Sequence, residues 1–450
     1  MKILSINSFH RTILRMALPA IAGLSTQMVV SVVDAAMIGR LKNAEYALAA
    51  MGISVLATWA IVSFFSSLST GTHVLVARRY GEKDFASCSK VLFNSIVIAF
   101  STGLFIALLG MFFAPAFIQL FAKDTRVGEL AGQFMVYRLV GLPFFLITVS
   151  FRGFYFGIGN TRVFMVSGII INLLNIVFNY ILIYGAFGLP AMGVAGSGFG
   201  SSLATICDSF YYLVVACQIR YIQKFHFIKN AKVIPDIIRS IIRLSIPVSF
   251  QNVFILIGFL SFVAITGLIG TKQQAATQVV ISTLFISFLP CMGFGIAVQT
   301  LVGNNVGKGK RILARLYGIE TAKIATIYTL ILSCIYVFIP QYLLWIITEQ
   351  KDIIRTAVPV MRIAGFAQIF YGIGIVLANG LQAVGKTGFV MFAEVFSNLF
   401  LLVPVSYFLG VYLHYGLTGA WLAMPVYILI YSCIIVTKFS FGEWKTLKKI

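Results

Sequence analysis

Long apolar segments alternate with short polar ones along the whole chain. A helix needs about 20 apolar residues to cross the hydrocarbon core of a bilayer, and about twelve segments reach that length. Because these runs are long and continuous, they indicate helices rather than the short alternating strands of a transmembrane barrel. They lie at about 13–37, 46–68, 90–113, 131–154, 163–184, 194–218, 241–267, 276–300, 320–343, 357–382, 389–412 and 416–437.

The composition agrees with this pattern, since 60% of the residues are hydrophobic and only 10% are charged. An ordinary soluble domain carries about 25% charged residues, and a soluble chain this apolar would have to expose large hydrophobic patches. Soluble enzymes, nucleic-acid-binding domains and disordered chains are therefore excluded. The predicted fold is an all-α polytopic membrane protein with twelve transmembrane helices.

Positive charges are concentrated in one set of alternating loops. Of the 34 Lys and Arg residues, 25 lie in the loops of one side, seven lie in those of the other, and Arg138 and Arg362 are placed at helix starts. Cytoplasmic loops carry an excess of Lys and Arg, so both termini are predicted to be cytoplasmic. The net charge of +21 is attributed to this bias and not to a nucleic-acid partner.

The two halves of the chain resemble each other. The segment Ile13–Pro19 is similar to Ile241–Pro247, and Asn172 matches Asn398 at nearly the same offset, about half the length of the chain. This repeat predicts two pseudo-symmetric six-helix bundles, an N-terminal lobe at 1–220 and a C-terminal lobe at 241–450, joined by a cytoplasmic linker at 221–240. Parallel repeats of this kind suit transport by alternating access; the alternative is a duplicated scaffold without transport.

Three acidic residues lie inside predicted spans, where a charged group costs at least about 2.5–3.5 kcal/mol. Asp34 follows a run of valines in the first span and is the strongest candidate to bind and release a proton; alternatively, it reaches the outer interface beside Arg40. Asp208 lies deep in the sixth span, with Thr205 on the same face. Glu394 lies about five residues inside the eleventh span and is expected to reach the cytoplasmic interface.

The fifth span carries amides on one face, because Asn175 and Asn179 are four residues apart. They can hydrogen-bond a protonated carboxyl group or coordinate a small cation, or they can simply join helices across the bundle. Pro19 lies too deep in the first span to be a first-turn proline, and we expect it to permit bending of that helix.

Signatures of other chemistries are absent from the sequence. No GxxxxGK[ST] phosphate loop occurs, and the four histidines and six cysteines show no metal-ligand spacing. We therefore expect no catalytic residues, no cofactor and no metal site. A membrane-embedded enzyme would need clustered histidines or paired carboxylates at one interface, and the sequence shows neither.

The chain resembles the multidrug and toxic compound extrusion (MATE) family, and within it the bacterial branch typified by the DNA-damage-inducible protein F. The resemblance covers essentially all 450 residues. It rests on short motifs in the first six spans and the loops between them, namely Leu18-Pro19, Val32-Val-Asp34 with Gly39, Ala77-Arg-Arg-Tyr-Gly81, Gly141-Leu-Pro143, Gly153 to Thr161, and Gly193-Val-Ala-Gly196.

The resemblance implies a secondary active exporter in the bacterial inner membrane, a monomer that exchanges cationic or amphipathic organic compounds for H+ or Na+. It makes Asp34 the coupling residue, places Asn175, Asn179 and Thr205 beside it, and makes Pro19 the bending point. Relatives often carry aspartate where Asn179 stands, and the seventh and tenth spans lack the acids that another branch uses. The first departure weakens the case for Na+, and the second argues against a cation site in the C-terminal lobe. The family does not lead us to expect Asp208, which could be a second proton carrier, a local peculiarity, or the source of a missing charge for Na+.

Within transport, the alternative is a flippase for lipid-linked or other amphiphilic metabolites. Flippases with this fold commonly have extra spans and a cavity rich in Arg and Lys for the pyrophosphate. The predicted spans of this chain carry few basic residues, which argues against that alternative.

The bias in Lys and Arg predicts that the loop at 114–130 lies on the outer side of the membrane. A single cysteine in this loop, in a background without other cysteines, is expected to react with a membrane-impermeant thiol reagent added to intact cells. Labelling only from the cytoplasmic side would contradict the predicted topology.

Overall fold

All regular structure in the described part of the chain is helical. The structure is a computed structural model that describes residues 6–41, 44–120, 122 and 124–442, with the side chains of 6, 7, 27–29, 31 and 32 not described. The prediction that both termini are cytoplasmic concerns residues that lie outside these ranges. The prediction of an all-α fold is confirmed.

Contacts within the chain define two compact units. The first unit comprises Ala22–Ser245, and the second comprises the residues up to Ile21 together with those from Ile246 onward. The chain passes from one unit to the other inside two long helices, and each passage lies within two residues of a proline, Pro19 or Pro247. The repeat did not predict that these two helices would each contribute to both units.

The helices of the first unit follow one another through short connections. After the part of α1 (Ile6–Ile38) that belongs to this unit come α2 (Ala44–Gly81), α3 (Phe85–Gln119), α4 (Thr125–Val140), α5 (Leu142–Gly157), α6 (Thr161–Tyr184), α7 (Gly193–Ala216) and α8 (Ile219–Phe225).

The second unit contains most of α9 (Pro235–Ile269) and all later helices. They are α10 (Thr271–Gly307), α11 (Arg311–Phe338), α12 (Pro340–Ile347), α13 (Lys351–Ala383), α14 (Thr387–Ser397), α15 (Val403–Tyr407) and α16 (Gly416–Phe441). Two π-helical turns, Asn398–Leu402 and Phe408–Tyr412, join α14 and α15 into one irregular span.

Every predicted span overlaps a helix or a broken helix of the structure. Within the described residues, ten helices are long and apolar enough to cross a membrane, and α4 with α5, bent by 49° at their junction, forms an eleventh. Helix α1 occupies the place of the first predicted span. The layout is that of a multi-pass membrane protein.

Several helices begin earlier than predicted, because hydropathy marks the apolar core of a helix and not its ends. Helix α4 begins at Thr125 and α13 at Lys351. The expectation that Arg138 and Arg362 lie at helix starts is therefore wrong, since each is more than ten residues inside its helix. Arg138 is half-buried in the interior of α4.

Small residues permit close approach of helices in the first unit. At Gly153 of α5, a Cβ atom would lie 2.6 Å from the carbonyl oxygen of Ser69 and 2.8 Å from Cβ of Thr72, both on α2. Packing between membrane helices depends on such small residues, because they let backbones come close together.

We expect Gly153→Ala to destabilise the first unit by about 1–3 kcal/mol, because the added methyl group must displace backbone atoms of α2. Gly52→Ala is the matched control, since a Cβ atom at Gly52 meets nothing within 4 Å. Thermal unfolding of the two purified variants in detergent measures the difference. Equal stability of the two would contradict this account of the packing.

Candidate functional site

A chain of hydrogen bonds joins three helices of the first unit. The Nδ2 group of Asn179 donates to Oδ1 of Asp34 over 2.8 Å and to Oδ1 of Asn175 over 3.0 Å. The Nδ2 group of Asn175 in turn donates to the hydroxyl oxygen of Ser201 over 2.9 Å. The chain therefore connects α1, α6 and α7, and brings together three of the predicted ion-coupling residues.

The two asparagines are held by close packing of α6 on α7. Asn179 is fully buried and Asn175 is 7% exposed. A Cβ atom at Gly200 of α7 would lie 2.2 Å from Oδ1 of Asn179, so only glycine leaves room for this amide. The amide oxygen thus rests against the α7 backbone, and its NH2 group points to the acceptors.

Thr205 lies one helical turn from this chain of bonds but does not join it. Its hydroxyl group donates to the backbone oxygen of Ser201 over 2.8 Å. Ser201 itself was not among the predicted site residues. Its position four residues before Thr205, on the same face of the helix, was the available signal.

Asp34 is half-buried and makes no ion pair within 4.0 Å with any residue that the structure describes. In particular, it is bound by Asn179 rather than by Arg40. The charged group that acts on it electrostatically is the guanidinium of Arg138, on α4. Arg138 also lines a small, mostly apolar cavity between α2, α4 and α5, together with residues such as Met135 and Phe145.

Asp208 belongs to a different polar group. Its carboxylate is fully buried, accepts a hydrogen bond of 2.6 Å from the hydroxyl of Ser167, and lies 3.8 Å from Nη2 of Arg152. Ser167 and Asn179 are twelve residues apart on α6, which corresponds to about 18 Å along the helix. The structure therefore does not bring Asp208 to the Asp34 group, and Arg152 compensates its charge.

Pro19 lies thirteen residues after the first residue of α1. A proline this far inside a helix removes one backbone hydrogen bond and favours a kink. It stands next to the point at which α1 passes from the second unit to the first. Its predicted role in bending is compatible with this place and stays a prediction, as do the coupling roles of the other residues.

Among the described residues, no group of three or more His, Cys, Asp or Glu side chains is placed to hold a metal ion. The polar chain around Asp34 has one carboxylate and neutral partners. Its chemistry is that of a single group that can gain or lose a proton or attract a cation.

Ionisable side chains inside membrane spans mark substrate and ion pathways, and buried acids of this kind are typical of membrane transporters. A family model described as MatE matches residues 19–181 and again residues 247–408. The chain therefore belongs to the MATE family, whose members are transporters and not enzymes. The two matches begin at Pro19 and Pro247, the residues that end the two copies of the repeated segment.

Similar proteins extend over nearly the whole chain. The probable multidrug resistance protein NorM of Thermotoga maritima is 25% identical over 441 residues, 97% of this chain and 93% of its own. The uncharacterized transporter YisQ of Bacillus subtilis is 25% identical over 397 residues, 84% of this chain and 83% of its own.

Solved structures show the same fold. A crystal structure of MATE in the straight conformation superposes with a TM-score of 0.89 at 18% identity, covering 98% of this chain and 97% of its own. A MOP superfamily transporter from Pyrococcus furiosus gives 0.85 at 18% identity, with coverages of 98% and 96%. The predicted twelve-helix, two-lobe fold agrees with these structures.

We expect Asp208→Asn to destabilise the protein by about 3–5 kcal/mol, because it leaves the largely buried Arg152 guanidinium without its counter-charge. Asp34→Asn is the matched control and should cost much less, because Asp34 makes no ion pair with a described residue. Unfolding of both purified variants in detergent gives the comparison. If Asp208→Asn is as stable as the wild type but inactive, Asp208 acts in coupling and not in structure.

Proposed function

We propose that this chain is a secondary active exporter of cationic or amphipathic organic compounds, driven by the inward flow of H+. The family makes it a transporter, and the names of its relatives support drugs as the class of substrate. The hydrogen-bonding of Asp34 is the observation that supports H+ as the coupling ion.

The group around Asp34 presents a hydrogen-bond donor where a sodium site would need oxygen atoms. Hard cations such as Na+ prefer several oxygen ligands. The NH2 group of Asn179 lies between the oxygens of Asp34 and Asn175, at 2.8 and 3.0 Å. The donor makes one hydrogen bond to each of these two oxygens, and binding of Na+ between them would require the amide to turn. A proton needs only the free lone pairs of the carboxylate.

The organic cation and the proton would compete for the single negative charge of Asp34. This competition would produce exchange of substrate for H+. An ionised Asp34 attracts an organic cation, whereas a protonated Asp34 is neutral and does not. A buried charge is costly in a membrane, so loss of the charge would also allow the surrounding helices to close on one another. Bending of α1 at Pro19 would then exclude the substrate, and the two lobes would alternate in access.

We also propose where the protein lies in the cell and what it contacts there. The excess of Lys and Arg in one set of loops supports an inner-membrane protein with both termini in the cytoplasm, by the positive-inside rule. The partners are small organic molecules and the lipid bilayer, and the transporter works as a monomer.

The test uses purified protein in liposomes, loaded with a fluorescent organic cation in sodium-free buffer. A pH gradient alone is expected to drive transport by the wild type, and Asp34→Asn is expected to reduce it to the level of empty liposomes. Glu349→Gln, which changes an exposed acid, is the matched control and should transport normally.

Two results would contradict the proposal. If a pH gradient fails and a sodium gradient at uniform pH restores transport, the coupling ion is Na+ rather than H+. If Asp34→Asn transports like the wild type, the coupling group is elsewhere.

A further inference from the structure

The second unit contains a buried acid of its own. Glu394 lies seven residues after the first residue of α14 and is only 3% exposed. The sequence led us to expect that Glu394 reaches the cytoplasmic interface. That expectation is wrong, because the side chain is buried among the helices. Its Oε1 atom accepts a hydrogen bond from the hydroxyl of Tyr427 on α16.

No cation compensates Glu394 among the described residues. The ion pairs of this structure involve other acids, and no Lys, Arg or His lies within 4.0 Å of this carboxyl group. Two cations lie at the start of α14: Lys386 precedes its first residue, and the amine of Lys438 lies over the ring of Phe389, 5.3 Å from its centroid. Asp208, by contrast, is paired with Arg152.

The titratable groups that face Glu394 are tyrosines. On α16, Tyr431 follows Tyr427 by one turn, and on α13, Tyr371 also interacts electrostatically with the carboxyl group. The hydroxyl of Tyr431 is buried and forms no hydrogen bond of normal geometry. A buried carboxylate with no compensating cation is costly, so uptake of a proton lowers the cost of burying Glu394.

The repeat gives this cluster a counterpart in the first unit. At the offset that relates Asn172 to Asn398, Tyr427 takes the position of Ser201, and Tyr431 takes that of Thr205. The polar groups of both units are thus held by the same pair of repeated helices. In the first unit the acid comes from α1, whereas in the second it comes from α14 itself.

The backbone beside Glu394 is irregular. Its carbonyl oxygen accepts from the backbone N–H of Asn398, the first residue of a π-helical turn. Such turns are frequent at functional sites. The side chain of Asn398 is buried without a hydrogen-bond partner and lies where α9 has no side chain, at Gly258. Asn398 therefore packs the irregular turn after Glu394 against α9, the helix that carries Pro247.

We infer that Glu394, with Tyr427 as its positioning residue, is a second proton-binding site, which takes up and releases a proton during transport. Its part in transport rests on the proposed function, but its binding of a proton does not. The neutral acid and Tyr427 share a hydrogen bond, and release of the proton to water leaves a carboxylate that Tyr427 stabilises by donation. Two coupled protons per cycle follow, one at Asp34 and one at Glu394.

The largest substrate gradient that the transporter can build depends on the number of protons coupled to each cycle. With a gradient of one pH unit and the membrane potential clamped at zero, each coupled proton multiplies the limiting gradient by about ten. We expect about a hundredfold accumulation for the wild type and about tenfold for Glu394→Gln. Equal accumulation by the two proteins would overturn the inference while leaving proton-driven export intact.

Infrared spectroscopy tests proton binding without transport. The C=O band of protonated carboxyl groups is followed during a pH titration of purified protein, and Glu394→Gln is expected to remove one titrating component. Tyr427→Phe should keep this component but shift its midpoint, whereas Tyr342→Phe, at an exposed tyrosine, should not.

These spectra separate the two proposals. If the wild type shows no pH-driven transport but Glu394 titrates, the proposed function fails and the proton site stands. If the spectrum of Glu394→Gln equals that of the wild type at every pH, Glu394 does not exchange protons and the inference is wrong.

Discussion

The cost of placing polar groups in a hydrocarbon environment governs this structure. The described backbone satisfies its own N–H and C=O groups by forming helices, as a membrane requires. The acids inside the spans meet the same constraint in three different ways. Asp34 accepts from an amide, Asp208 is paired with Arg152, and Glu394 accepts from a tyrosine. Asp208 is thus the acid that a cation compensates, whereas Asp34 and Glu394 rely on hydrogen bonds from neutral side chains.

Duplication of a six-helix unit explains where these groups lie. Helices α6 and α7 in the first unit, and α14 and α16 in the second, hold the polar side chains between them. The repeated scaffold thus offers the same buried surface twice, and the side chains on it have diverged. Ser201 in one unit and Tyr427 in the other occupy equivalent positions of the repeat.

The residues that sequence reasoning missed are mostly partners and not acids. Rare carboxylates in apolar runs are conspicuous, because a charge in the membrane is expensive wherever it stands. Ser201, Arg152 and Tyr427 have common residue types at unremarkable positions, and only packing of distant helices brings them to an acid. Arg138 was misplaced for another reason, since hydropathy does not mark the first turns of α4.

The sequence by itself determined the class of protein, the twelve spans, the duplication and the acids worth following. These depend on composition, period and spacing, which are properties of the chain alone. It also paired Asn175 with Asn179, because residues four apart share a helix face. Only the tertiary structure decided that Asn179 binds Asp34 and that Asp208 is compensated by Arg152. It also decided that Glu394 is buried, and that α1 and α9 contribute to both units. The physical reason is that a partner's identity is set by contacts between helices far apart in sequence, which no local pattern encodes.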